Sequence, residues 1–104
     1  MATIPAAVEQ SIARFLEAVQ RKQRIVMAYL YGSQVQGTAT DWSDIDLAIV
    51  SADFAADLFE ARVNLLRLAA EIDDRIEPHP FTPDDFTSNH PLVSEIRRAG
   101  VRLV

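Results

Sequence analysis

Asp44 and Asp46 stand one residue apart at the head of an apolar run, Ile45 to Val50. In a strand, side chains alternate faces. The two acids then share one face while Ile45, Leu47 and Ile49 turn to the other and can enter a core. Carboxylates that close repel each other, and one pKa rises unless something positive sits between them. A divalent cation removes the conflict. Mg²⁺ prefers oxygen ligands and commonly takes one or two carboxylates plus phosphate oxygens. Two such ions, about 4 Å apart, can activate an attacking oxygen and steady a leaving one. Upstream, Gly32-Ser33 ends a second apolar run, Ile25 to Tyr31. Glycine lets backbone approach a ligand closely. Serine adds a hydroxyl and can open a helical turn whose N–H groups attract phosphate. A phosphate anchor and a metal anchor on the ends of neighbouring strands suit a nucleoside triphosphate.

A metal site of this kind wants a third acid. Glu77, in the extended run "RIEPHP", can project from a third strand beside the pair. Asp73 and Asp74 fall at the end of a long helix and read as capping or solvated groups. Asp84-Asp85 follows Pro83 and reads as a helix N-terminal pair. His79, between two prolines, could sit near the metals or relay a proton, but reads rather as a half-exposed loop residue, and His90 before Pro91 reads as a helix-start residue. Trp42 either stacks on a base or shields the core edge. Tyr29 and Tyr31 belong to their strand.

The elements that must position these groups follow from periodicity. Thr3-Ile4-Pro5 starts a helix, with Thr3 as a candidate N-cap and Val8, Ile12, Phe15, Leu16 and Val19 at helical spacing. It ends near Arg21 to Gln23. Ile25 to Tyr31 is apolar on both faces and predicts a central strand. Val35 to Trp42 is a turn region. Ile45 to Val50 is a second strand. Ala55 to Ile72 predicts an amphipathic helix with Leu58, Phe59, Leu65, Leu66, Ala69 and Ile72 on one face. Arg75 to Pro80 is extended, and its prolines confine it to a sheet edge or a strand end. One helical turn over Pro83–Phe86, a short helix over Pro91–Ala99 stopped by Gly100, and a last strand over Val101–Val104 complete the chain. Mixed elements around one small sheet predict an α/β or α+β two-layer fold.

Composition narrows the classes. The 104 residues fit one domain, 1–104, with 49% apolar and 24% charged residues. There is no cysteine, which removes disulfides and thiolate metal sites and fits a reducing cytoplasm. The net charge of -5 argues against direct nucleic-acid binding, which rests on clustered Lys and Arg. The cluster "RKQR" at Arg21–Arg24 reads as the solvated end of a helix. No signal peptide and no membrane-length apolar stretch is expected.

Gly32-Ser33, ten intervening residues and then Asp44-Ile45-Asp46 resembles the signature of the DNA polymerase β-type nucleotidyltransferase superfamily. The "SDIDLAIV" ending and the closing "EIRRAGVRLV" are similar to the minimal nucleotidyltransferases (MNT), and the likeness spans nearly the whole chain. The resemblance implies a mixed sheet with helices packed on it. It implies transfer of a nucleoside monophosphate from a nucleoside triphosphate with two Mg²⁺ ions. Asp44 and Asp46 would then ligate both metals, Glu77 the metal at the acceptor hydroxyl, and Gly32 and Ser33 would hold the terminal phosphates. Ser43 would orient the aspartates. The family also implies an antitoxin that adenylylates a tyrosine of a HEPN-domain toxin, using ATP. A chain this short leaves no room for an acceptor-binding domain, so the acceptor would come on that partner. A homo-oligomer or a hetero-oligomer with the partner is open. One departure stands out. Members commonly carry arginines in a "GSRARG"-like loop, whereas this loop reads "GSQVQG", with Gln34 and Gln36. Loss of a cation beside a triphosphate weakens binding by about 1–3 kcal/mol. A domain that silences its partner by binding alone is therefore the alternative. An enzyme acting on a small-molecule hydroxyl ranks last, since the added helical domain usual there is absent.

Overall fold

The computed structural model describes residues 4–40, 42–87 and 89–104. Four strands form one mixed sheet in the order β3-β2-β1-β4, with β1 Met27–Tyr31, β2 Ile45–Val50, β3 Ile76–Phe81 and β4 Val101–Arg102. β1 pairs antiparallel with β2 and β4, and β2 runs parallel to β3. Among the described residues the α-helices are α1 Ala6–Gln20, α2 Ser33–Gln36, α3 Leu58–Ile72, α4 Pro83–Phe86 and α5 Pro91–Ala99. The predicted α/β class and mixed sheet are borne out. β1 lies inside the sheet as its two-sided hydrophobicity demands. β3 lies at the edge, where Pro78 and Pro80 lose no ladder bond that a neighbour would need.

Strand alternation splits the core in two. Ala28, Leu30, Ile45, Leu47, Ile49 and Ile76 pack on α1 and α3. Ala48 and Val50, on the opposite face, pack against Phe86, Val93 and Ile96 of α4 and α5. Phe86 closes this smaller cluster, its ring 5.4 Å from Tyr29 and 5.5 Å from Phe81.

Two expectations are corrected. The long helix does not run from Ala55: a 3-10 turn covers Ala52–Ala56, opened by Ser51, whose hydroxyl accepts from Asp53 N. Asp57 then caps α3 by accepting from Glu60 N at 3.0 Å, so the regular helix starts at Leu58. The inward stripe of α3 is Ala61, Leu65, Leu68, Ala69 and Ile72. Leu58, Phe59 and Leu66 are exposed, Phe59 by 77%. Phe59 and Leu66 lie about a third of a turn off the stripe, enough to put a large side chain in water, whereas Leu58 is near the stripe but is the first residue of the helix. The expected N-cap Thr3 lies outside the described residues. α1 begins after Pro5, with no side-chain cap bond. Gly100 does end α5, through room rather than handedness: its φ is -75°, but a Cβ there would meet Ile96 O at 2.5 Å and Leu30 O at 3.0 Å.

Candidate active site

The sheet register assembles the site. Tyr31 of β1, Asp46 of β2 and Glu77 of β3 form one row across three strands, and Tyr29, Ala48 and His79 form the next row on the same face. α4 and α5 cover the far end of this face, around Val50 and Phe81. The Tyr31–Asp46–Glu77 row is half-buried rather than covered.

Asp46, Glu77 and His79 converge. One ligand atom from each lies within 4.8 Å of the other two, a spacing that could hold a metal ion. Burial pushes the Asp46 carboxyl above its ordinary range. Glu77 and then Asp44 push it the same way, and His79 opposes them. The donor set fits a divalent cation, because positive charge between Asp46 and Glu77 would relieve that repulsion. The Tyr31 phenol is raised as well, by burial and then by Asp46 and Glu77, and stays neutral. The His79 ring is pushed down by burial and by Arg62, against the pull of the two acids. Arg62 of α3 reaches it from the sheet edge, Nη1 lying 3.5 Å from His79 Nδ1. The Tyr31 ring packs 6.0 Å from the imidazole.

Gly32 forms the wall behind Asp46. It closes β1 with φ 77° and ψ -150°, a backbone region essentially confined to glycine. A Cβ there would fall on Asp46 Oδ2. Ser33 opens α2 directly beside this contact, and Gly37 ends α2 in the left-handed conformation at φ 80°.

Asp44 precedes β2, is exposed, and stands outside the compact trio, although its charge reaches Asp46. Its carbonyl accepts from Gln34 Nε2 at 3.4 Å. The Ser43 hydroxyl is engaged in the loop, accepting from Thr40 N at 2.8 Å and lying 3.3 Å from Thr40 Oγ1. Gln34 is buried, at 4% exposure, while Gln36 is exposed. Asp73 is a capping group as expected: it accepts from Ser11 Oγ of α1 at 2.8 Å and from Arg75 Nη2 at 2.8 Å, which holds its carboxyl well below the usual range. Asp84 and Asp85 sit in the first turn of α4, and His90 caps α5 by accepting from Leu92 N at 3.1 Å.

His79 is a correction, since it belongs to β3 and joins the site instead of a loop. The signal was present, because Glu77 and His79 obey the same two-residue alternation as Asp44 and Asp46. Trp42 is a second correction: at 89% exposure it shields no core edge. Arg62 was missed altogether, because only the docking of α3 along β3 brings it near.

The family model described as "Polymerase beta, Nucleotidyltransferase" matches residues 13–103. The chain belongs to this family. The nucleotidyltransferase domain is similar to a crystal structure of a toxin–antitoxin solved with AMP-PNP, with 26% identity and a TM-score of 0.64, covering 92% of this chain and 72% of that one. It also shares its fold with a putative nucleotidyltransferase from Sulfolobus solfataricus, at 17% identity and a TM-score of 0.59, over 98% of this chain and 89% of that one. No curated protein gives a significant match. The resemblance carried by Gly32-Ser33 and Asp44-Ile45-Asp46 is thereby borne out at the level of family and fold. Among the described residues no helix is long and apolar enough to cross a membrane.

Proposed function

We propose that this domain is a metal-dependent nucleotidyltransferase that transfers AMP from ATP to a hydroxyl, a tyrosine, of a partner HEPN-domain toxin, and so acts as its antitoxin. The observation that carries the reading is the Asp46–Glu77 pair across β2 and β3, backed by Gly32 at the end of β1. Asp44, Asp46 and Glu77 would hold two Mg²⁺ ions, which when bound supply Lewis acidity and lower the pKa of the acceptor hydroxyl. Gly32 and Ser33 take the terminal phosphates, the glycine by close backbone approach and the serine by its hydroxyl. Asp46 and Glu77 would act on the transferred phosphate only through the ions they hold, and the neutral Tyr31 adds no competing charge beside them. The likeness to a toxin–antitoxin structure with AMP-PNP supports both the nucleotide and a toxin as partner.

The test is to mix the chain with ATP, Mg²⁺ and its partner and weigh the partner. An increase by whole AMP units is expected. An unmodified partner, under conditions where ATP binds, would sink the proposal. The second reading is neutralisation by binding alone, and the neutral loop favours it: Gln34 and Gln36 place no cation there, and Gln34 is buried. In that case the Asp44→Ala, Asp46→Ala double variant still neutralises its partner in full.

A further inference from the structure

The side chains on the β2–β3 face include one that the triphosphate chemistry does not call for. Glu77 and His79 are two apart on β3, so both side chains stand on the face that carries Asp46. Opposite His79 in the register is Ala48, whose single methyl leaves space for an imidazole beside the acids. The Tyr31 ring, at 6.0 Å, packs on the imidazole from the β1 side. Three ligand atoms at about 2.1 Å from one ion lie about 3.0–3.6 Å from one another. The trio, already within 4.8 Å, therefore closes on an ion with side-chain shifts of about 1 Å or less. Arg62 meets the ring at Nδ1 from 3.5 Å, the outer edge of hydrogen bonding, and as an exposed side chain it is free to swing away.

We propose that His79 is a direct metal ligand with Asp46 and Glu77, and that the site accordingly prefers a divalent first-row transition ion over Mg²⁺. Oxygen-only sets suit Mg²⁺, whereas an imidazole nitrogen adds affinity for transition ions and little for Mg²⁺. The inference rests on the metal-dependent reading of the site and goes beyond it, in naming the nitrogen ligand and the ion it selects.

Mn²⁺ alone is the probe, added to the full chain. Titration followed by the electron paramagnetic resonance of free Mn²⁺ gives its affinity, and Mg²⁺ competition gives the ratio. Pulsed measurement of the bound ion reports any directly coordinated ¹⁴N. The expected result is a ¹⁴N coupling and Mn²⁺ binding at least tenfold tighter than Mg²⁺. His79→Ala should lose the coupling and at least tenfold of the preference, while keeping Mg²⁺ affinity within about twofold. His79→Gln serves as a second variant if the alanine protein melts early. Bound Mn²⁺ without ¹⁴N coupling, or an unchanged Mn²⁺/Mg²⁺ ratio in the variants, overturns the inference and leaves a carboxylate site standing. No saturable Mn²⁺ binding, with or without ATP, overturns the metal reading itself.

Discussion

Gly32→Ala tests the joint between β1 and the site. The substitution has two separable effects. The backbone at φ 77° and ψ -150° is a region that an L side chain adopts only with strain of about 1–3 kcal/mol. For a domain of this size that lowers Tm by at least about 4 °C. The new Cβ also lands on Asp46 Oδ2. That atom ends a short side chain and can turn away, so the overlap adds little to the stability loss. It must nevertheless move by roughly 1 Å, and a misplacement of that size in a catalytic group costs about a hundredfold in rate. Denaturant unfolding would measure the first effect, and Mn²⁺ titration of the folded variant the second. Gly32→Ala should lose about 1–3 kcal/mol and at least tenfold in metal affinity. In an Asp46→Ala background the strain remains but no further metal affinity is lost, because the displaced ligand is already gone. A folded Gly32→Ala protein that binds metal like the wild type refutes the contact. Equal stability of the two proteins refutes the backbone argument.

Further outcomes follow from single residues. Asp46→Asn should raise the Tm of the metal-free protein at pH 7. The folded carboxyl is pushed up by burial and Glu77, so its contribution is full at low pH and lost as pH rises through the folded value. The neutral amide keeps that contribution, the gap closes in acid, and added metal no longer stabilises the variant. Asp73→Ala has the opposite pH dependence. Its carboxylate is held low by Arg75 and Ser11, so the loss of about 2–4 kcal/mol seen at neutral pH only begins to shrink once pH falls below the ordinary carboxylate range, toward the depressed folded value. Circular dichroism melts from pH 3 to 8 check both. Gln36→Arg, at an exposed position, should leave stability unchanged and tighten ATP binding several-fold by calorimetry, whereas Gln34→Arg, at a buried one, should cost about 2 kcal/mol or more.

The sequence made the scaffold readable wherever one pattern dominated. The limits of β2, the edge position of β3 and the turn at Pro83–Phe86 all follow from local chemistry: alternation, missing proline N–H groups and a Thr82 cap. The inward stripe of α3 was less legible, because Leu58, Phe59 and Leu66 are as apolar as the residues that are buried, and only the docking direction separates them. The start of α3 turned on competition between two caps, Ser51 and Asp57, that periodicity cannot rank. Within the site, Asp46 and Glu77 were legible as a pair, yet their meeting depends on the parallel β2–β3 register, which no local signal specifies. Asp44 was expected on a strand face beside Asp46. It sits just before β2, because Ile45 N bonds to Arg75 O and the ladder starts there. His79 was hidden by its prolines, which read as loop residues but are compatible with an edge strand.

The most direct measurement is the intact mass of the partner toxin after incubation with ATP and metal, comparing wild type with Asp46→Asn. The account predicts that wild type adds AMP units and that the variant, folded and still bound to the partner, adds none. Equal modification by both proteins, or none by a wild type that binds ATP and partner, would contradict it.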